Sequence, residues 1–394
     1  MPMARRQAVS DFSATMSVFM CHGRIIVQRR PFAIEPCQVG QVLICYNTVM
    51  QMPVTSLLQS IALFAMCAGC VWIAGARLAY LADALADRFK LAKSLVGLLL
   101  LSLATSLPEV ATTLSAAIQQ SRDLVLNNLF GGIALQTAIL AMADFWARGP
   151  ITNYPRKANH TLEAILLILL LSVTLVITNL GETIVVAGVG LGSVCLVMIY
   201  VGAIWLMRRY DDSSDWVPID LPNPDPLAFP APTGLAKAAN TSLIYQAIGA
   251  CLAILVFGLL LVLFANRIAD QSGLGTGFIG VTLLAAATSL PELSTSVAAV
   301  RIGAYTMAIS NIFGSNLIML VLVFPADVLF RAGPILQNTS RMVSLALGFG
   351  LIVTAIYLVG LIVRRKPRVG MFGLDSILVL LTFLASFAAY YYVR

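Results

Sequence analysis

Residues Ala104–Thr113 read ATSLPEVATT, and a near copy, ATSLPELSTS, returns at Ala287–Ser296. Both strings lie inside apolar runs long enough to cross a bilayer, where a carboxylate is costly unless it faces a cavity or a bound cation. Each puts a glutamate directly after a proline with hydroxyls on both sides. Thr105, Ser106 and Thr112 surround Glu109, and Thr288, Ser289 and Thr295 surround Glu292. Side chains three and four apart share a helix face, so hydroxyls and carboxylate form one stripe. Proline also lacks the N–H that would bond the carbonyl four residues back, which frees the carbonyls of Ala104 and Ala287. Irregular backbone at membrane depth is tolerated where it lines a cavity. Carboxylate, hydroxyl and carbonyl oxygens are the ligands of hard cations such as calcium and sodium. The bland alternative is hydroxyls bonded back to their own helix and a glutamate kept neutral by packing. The pattern's appearance twice in one chain weighs against that alternative.

The whole chain fits a membrane setting. Of 394 residues, 59 % are hydrophobic and 11 % charged, with mean hydropathy +0.90, whereas a soluble domain is about a quarter charged. The net charge of +7 sits in short loops between apolar runs, where it orients spans and does not form a nucleic-acid surface. Cys67 and Cys70 make a C-x-x-C inside an apolar helix and read as packing residues. Two histidines, His22 and His160, leave no histidine-rich metal site. No nucleotide loop, nucleophile elbow or zinc motif occurs, so the chain does not read as an enzyme and no cofactor is expected.

Ten apolar segments meet the spanning criterion, at 57–82, 94–118, 123–145, 161–179, 183–206, 243–268, 276–300, 303–328, 342–363 and 372–392. Residues 208–240 carry five aspartates and six prolines, which predicts a solvated linker on the cytoplasmic side. The domains expected are therefore a tail, 1–51; a first five-helix repeat, 52–207; the linker, 208–240; and a second repeat, 241–394. Alternate connections hold fourteen Lys and Arg on one side against five on the other, which places the richer side in the cytoplasm and both termini outside. The tail, with Arg5, Arg6, Arg24, Arg29 and Arg30, does not fit that sidedness. It reads as disordered or as lying upstream of a true start at Met50 or Met52, with a genuine extension as the alternative.

The repeat extends beyond the two decamers. Set Leu101–Gly131 against Leu284–Gly314 without gaps. Leu101, Ala104, Thr105, Ser106, Leu107, Pro108, Glu109, Thr112, Ala116, Asn128, Phe130 and Gly131 then each meet the same residue, and in the same register Ala143-Asp144 meets Ala326-Asp327. Five predicted spans separate the copies. Five is odd, so the second copy crosses in the opposite sense, the mark of an inverted repeat with a midplane site between the halves. The third span adds Asn128, Gly131, Gly132 and Gln136, and the eighth adds Ser310, Asn311, Gly314, Ser315 and Asn316. Glycines there permit close helix approach. Asn128, Gln136, Asn311, Ser310 and Ser315 read as supporting ligands or as braces for the glutamates. Asp144 and Asp327 read as helix-end caps in preference to parts of an ion path.

T-S-L-P-E followed by N-x-F-G, twice and inverted in a ten-helix chain, resembles the alpha repeats of the sodium/calcium exchangers, in the calcium/cation antiporter superfamily. That resemblance implies alternating access, with calcium and sodium moving in opposite directions through one shared site. It implies cation ligation by Thr105, Ser106, Glu109, Thr288, Ser289, Glu292 and Ser315. The family's G-S-N-x-x-N or G-S-N-x-x-D is altered here. The first copy reads Gly131-Gly132-Ile133-Ala134-Leu135-Gln136, and the second reads Gly314-Ser315-Asn316-Leu317-Ile318-Met319. A thioether at Met319 is a poor ligand for calcium or sodium. Two glutamates balance one divalent ion, and desolvated glutamates also carry protons.

The sequence thus predicts an all-α, multi-pass protein of a cell membrane, a prokaryotic inner membrane in particular. Its partners are lipid and inorganic cations, with no nucleic acid. It would exchange Ca2+ or another divalent cation for Na+ or H+. The alternatives are a proton-coupled Mn2+ or Mg2+ carrier, a Na+/H+ exchanger, and a non-transporting sensor or scaffold on the same fold.

Overall fold

A computed structural model describes residues 56–394 apart from 148, 156–157, 183, 187, 214–234, 236–237, 273–277, 364–367, 371 and 394. The predicted tail, and nearly all of the linker between 214 and 237, lie outside the described residues. The rest is almost entirely helical, as lipid demands of a backbone that must satisfy its own polar groups. The helices are α1 (Leu57–Phe89), α2 (Lys93–Thr105), α3 (Leu107–Ile118), α4 (Arg122–Met142), α5 (Asn159–Leu180) and α6 (Leu191–Ser213). They continue with α7 (Asn240–Gln271), α8 (Phe278–Thr288), α9 (Leu290–Arg301), α10 (Tyr305–Val321), α11 (Val323–Leu329), α12 (Arg341–Ile362) and α13 (Leu374–Val393).

Among the described residues, seven helices are long and apolar enough to span alone, and α2 with α3 passes the same test together as a pair bent by 51°. The predicted segment 94–118 is this bent pair. The helix stops at Ser106 (φ −81°, ψ 3°) and restarts with Pro108 in its first turn, where a missing N–H costs nothing. Segment 276–300 breaks in the same way at Ser289 (φ −89°, ψ 3°), between α8 and α9. Segment 372–392 is the shorter apolar helix α13. The segment predicted at 183–206 needs a correction, because its start is a β-hairpin, β1 (Val185–Val186) with β2 (Val189–Gly190), and the helix begins only at Leu191. Gly188, at φ 86°, permits that turn. A second hairpin, β3 (Arg368–Val369) with β4 (Phe372–Gly373), stands at the equivalent place in the other copy of the repeat, just before α13.

Helices α1 and α7 run antiparallel along each other. Ser60 Oγ donates to Gln271 Oε1 (2.7 Å), Arg77 Nη2 to Gln246 Oε1 (2.7 Å), and Arg88 Nη1 to Asn240 Oδ1 (2.6 Å). The residue number falls on one helix as it rises on the other. The apolar core includes Leu78 of α1 and Ile254 of α7 and extends through the other helices, with Phe130, Ile133, Phe313, Leu171 and Tyr357 fully buried in it.

Asp144 and Asp327 cap helices, but not their own. Asp144 Oδ1 accepts from Ile151 N (2.8 Å), and its Oδ2 accepts from Gly373 N (3.1 Å) and Ser376 Oγ (2.6 Å) at the start of α13. Asp327 Oδ1 accepts from Ile335 N (2.7 Å), and its Oδ2 from Gly190 N (2.9 Å) and Ser193 Oγ (2.7 Å) at the start of α6. In the register of the repeat, Gly190 and Ser193 are the equivalents of Gly373 and Ser376. Each half of the chain therefore holds the N-terminus of the other half's last helix, where a carboxylate also meets the favourable end of the helix dipole. Losing one such acceptor strands several buried donors at about 1–3 kcal/mol each. Asp144→Ala and Asp327→Ala should each lower thermal stability in detergent by several kcal/mol. Unchanged melting would refute the clasp.

Candidate cation site

The two broken helices place their glutamates in the interior. Glu109 is 3 % exposed and Glu292 0 %. Pro108 and Pro291 fix the first turns of α3 and α9, so each carboxylate sits just past a helix break. Ser106 Oγ, at the break of the first pair, donates to Glu292 Oε1 of the second (3.4 Å). Thr105 Oγ1 is 3.5 Å from Ser315 Oγ on α10. Ala104, Ala287, Thr105, Ser106, Thr288, Ser289 and Ser315 are all buried. The structure thus brings Ser106 to Glu292 and Thr105 to Ser315 through contacts that span 186 and 210 residues of chain.

Other predicted residues act as braces. Thr112 Oγ1 donates to the carbonyls of Pro108 and Glu109 (both 3.0 Å), and Thr295 Oγ1 to those of Pro291 (2.8 Å) and Glu292 (3.1 Å). Thr288 Oγ1 bonds back to Ala285 O (3.2 Å). Asn311 Nδ2 donates to Thr295 Oγ1 (3.1 Å), which turns the Asn311 carbonyl oxygen away without a partner. Asn128 donates to Thr113 Oγ1 (2.9 Å), a hydroxyl outside the predicted stripe. Ser310 turns aside entirely and donates to Glu163 Oε1 (2.6 Å). The sequence pointed to neither Glu163 nor Thr137, whose hydroxyl receives Asn316 Nδ2 (3.2 Å). Single polar residues on apolar helices carry no periodic signal, and only the packing of α4 and α5 on α10 reveals their partners.

The site's chemistry lies in its unmet atoms. Both oxygens of Glu109, Oε2 of Glu292, Oε1 of Gln136 and Oδ1 of Asn311 and Asn316 are buried and accept no hydrogen bond. These six atoms, on α3, α9, α4 and α10, are all acceptors. A buried acceptor left unmet costs about 1–3 kcal/mol, and a charged one more. What satisfies a set of acceptors with no donor is a positive charge. Among the described residues no group of three or more His, Cys, Asp or Glu side chains could hold a metal.

Close backbone approaches complete the geometry. Gly258 of α7 lies on Pro108, where an added Cβ would stand 2.5 Å from the ring Cγ. Gly75 of α1, its equivalent in the first copy of the repeat, lies on Ser294 and the carbonyl of Pro291 in the same way. Helix α7 thus rests directly on Pro108, and α1 on Ser294, three residues past Pro291.

Comparison with known proteins is consistent with this geometry. The family model of the sodium/calcium exchanger protein matches residues 59–209 and again 242–392, two stretches in the register of the repeat. The inner membrane protein YrbG of Escherichia coli K12 is 24 % identical over 260 residues, 66 % of this chain and 76 % of that protein. The putative antiporter CaxA of Alkalimonas amylolytica is 26 % identical over 271 residues, 67 % of this chain and 78 % of its own length. The solved sodium-calcium exchanger NCX_Mj superposes with TM-score 0.64 over 85 % of this chain and 99 % of its own, at 17 % identity, a likeness of fold.

Proposed function

We propose that this chain, which belongs to the sodium/calcium exchanger protein family, exchanges Ca2+ for Na+ at a site between two inverted five-helix repeats, ten spans in all. It is a multi-pass membrane transporter and not an enzyme. The observation that carries the choice of cargo is the set of six buried acceptors that includes the oxygens of Glu109 and Glu292. One divalent cation neutralises both carboxylates. Thr105, Ser106, Thr288, Ser289 and Ser315, with the carbonyls of Ala104 and Ala287, supply the remaining oxygens, and calcium takes about six to eight. Asn311, Gln136 and Asn128 support that shell. Two Na+ ions balance the same charge, and two protons would do so by neutralising the carboxylates themselves.

The inverted arrangement is supported by hydrogen bonds that recur between the two copies: Thr112 with Thr295, Ser193 with Ser376, and Asp327 with Asp144. It is supported also by the antiparallel run of the equivalent helices α1 and α7. In this reading α1 and α7 slide as a unit over Pro108 and Pro291, opening the site to one face and then the other, as alternating access requires. In this reading the excess of Lys and Arg in alternate loops favours both termini outside a bacterial inner membrane, the setting named for YrbG.

Vesicles loaded with sodium, diluted into sodium-free medium containing calcium-45, should accumulate calcium, and collapsing the sodium gradient should stop them. Uptake driven by a proton gradient and indifferent to sodium would replace Na+ with H+ in this account. No uptake under either gradient would leave a non-transporting membrane protein.

A further inference from the structure

Two polar residues bond to each other between α4 and α10, next to residues of the cation site. Thr137 and Asn316 are both fully buried. Asn316 Nδ2 donates to Thr137 Oγ1 (3.2 Å), and Thr137 Oγ1 donates in turn to Ile133 O, one turn back on α4 (3.0 Å). Their chain neighbours place the pair. Asn316 follows Ser315, whose Oγ is 3.5 Å from Thr105 Oγ1 at the end of α2. Thr137 follows Gln136, whose Oε1 is one of the unmet acceptors.

These bonds fix which way the Asn316 amide points. The Thr137 hydroxyl gives its single proton to the Ile133 carbonyl, so its oxygen has only lone pairs left to offer. It therefore takes the NH2 side of the amide and turns Oδ1 the other way. That oxygen is buried and accepts no hydrogen bond. Helix α9 carries the same device. Thr295 Oγ1 gives its proton to the carbonyls of Pro291 and Glu292 and accepts from Asn311 Nδ2 (3.1 Å), and Asn311 Oδ1 is likewise buried and unmet. Both asparagines of α10 are thus held by a threonine on a facing helix. The duplication does not account for the bond at Thr137. The positions equivalent to Thr137 and Asn316 are Leu320 and Ile133, apolar and buried. Such side chains would serve packing alone, whereas a buried asparagine with an unmet oxygen costs stability unless something positive meets it.

We propose, on the exchange reading given above, that Thr137 is a positioning residue for transport: it aims the Asn316 amide so that Oδ1 meets the bound cation as a further oxygen ligand. Met319, three residues on along α10, offers a thioether in place of an oxygen, and hard cations favour oxygen. Without the Thr137 hydroxyl nothing holds the amide, and its NH2 group turns toward the cation as readily as its oxygen. The NH2 group repels a cation, so affinity falls while the later movement of the helices is untouched.

The full chain is tested in vesicles, with sodium-driven calcium-45 uptake measured against calcium concentration. Thr137→Val removes the hydroxyl and little else. It should raise the calcium concentration for half-maximal uptake about 10-fold or more, the usual cost of losing a group that orients a metal ligand, with the maximal rate retained. Thr137→Ser keeps the hydroxyl and should restore the wild-type value. Asn316→Leu should give the same rise, and the two changes Thr137→Val and Asn316→Leu together no more than either alone, because one residue acts through the other. A residue that only packs α4 on α10 would instead lower the maximal rate, would not be rescued by serine, and would add to Asn316→Leu. An unchanged half-saturating concentration in Thr137→Val, or additive effects, overturns the proposal and leaves the exchange reading standing. Asn316→Leu strands no buried donor, so it serves if Thr137→Val does not fold, and an unchanged half-saturating concentration there overturns the proposal equally. A second readout needs no flux. In micelles, calcium raises the melting temperature of a chain that binds it, and Thr137→Val should need about 10-fold more calcium for the same rise. Wild type that shows this rise but no flux under any gradient overturns the exchange reading, and the melting of Thr137→Val then decides this one. Wild type that shows neither overturns both.

Discussion

Glu292→Gln should abolish sodium-dependent calcium uptake while leaving a folded protein, and Glu109→Gln should do the same. Each change keeps the shape and removes one of the two buried carboxylates of the proposed site. Perturbing groups that merely orient a metal ligand already costs about 10–100-fold, and loss of a charged ligand should exceed that. The fold should not suffer, because glutamine has the size of glutamate and a buried amide costs less to desolvate than a buried carboxylate. A second measurement separates lost binding from lost movement. Calcium at a hundred times its dissociation constant stabilises the wild-type fold by about 2.7 kcal/mol, and this stabilisation should vanish in both variants. Calcium-dependent melting that survives in either variant would place the cation elsewhere.

The second large effect falls on residues with no polar chemistry. Gly258→Ala should cut transport at least tenfold at saturating calcium. Its methyl group would press on the Pro108 ring, at 2.5 Å from the ring Cγ. A ring locked to the first turn of α3 cannot swing aside, and overpacking of this kind costs about 1–3 kcal/mol. That energy applies to whichever arrangement of α7 over Pro108 it obstructs, so one conformer of the cycle is depleted. Gly75→Ala should be milder, because its nearest neighbour is the Ser294 hydroxyl, which rotates more readily than a proline ring. Gly69→Ala, on α1 with Gly75, is the control. Nothing lies within 4 Å of its added Cβ, and alanine is the better helix former. Equal transport by the Gly69→Ala and Gly258→Ala variants would show that α7 does not move over Pro108.

In the proposed cycle, the clasps at Asp144 and Asp327 would hold the chain together while α7 moves over Pro108. The carboxylate clasps tie α6 and α13 to the opposite halves. Helix α7 meets Pro108 at Gly258, and α1 meets Ser294 at Gly75. Stiff junctions and smooth ones sit on different helices.

Several features are legible in the linear chain before any folding: the membrane setting, the helical class, the two breaks at proline, and the pair Glu109 and Glu292. All of these are local. Apolar length, a missing N–H and a repeated string are written in consecutive residues and need no partner to be read. The register of the repeat even foretold that Asp144 and Asp327 are equivalent. Partners were another matter. Asp144 caps α13, 229 residues away at Gly373, and Ser106 reaches Glu292 across 186. The oxygen of Ser310 could serve the cation site or Glu163 equally well on spacing alone. The rotation of α10 against α5 decides between them, because a helix's azimuth is set by packing against its neighbours and leaves no trace in its own hydropathy.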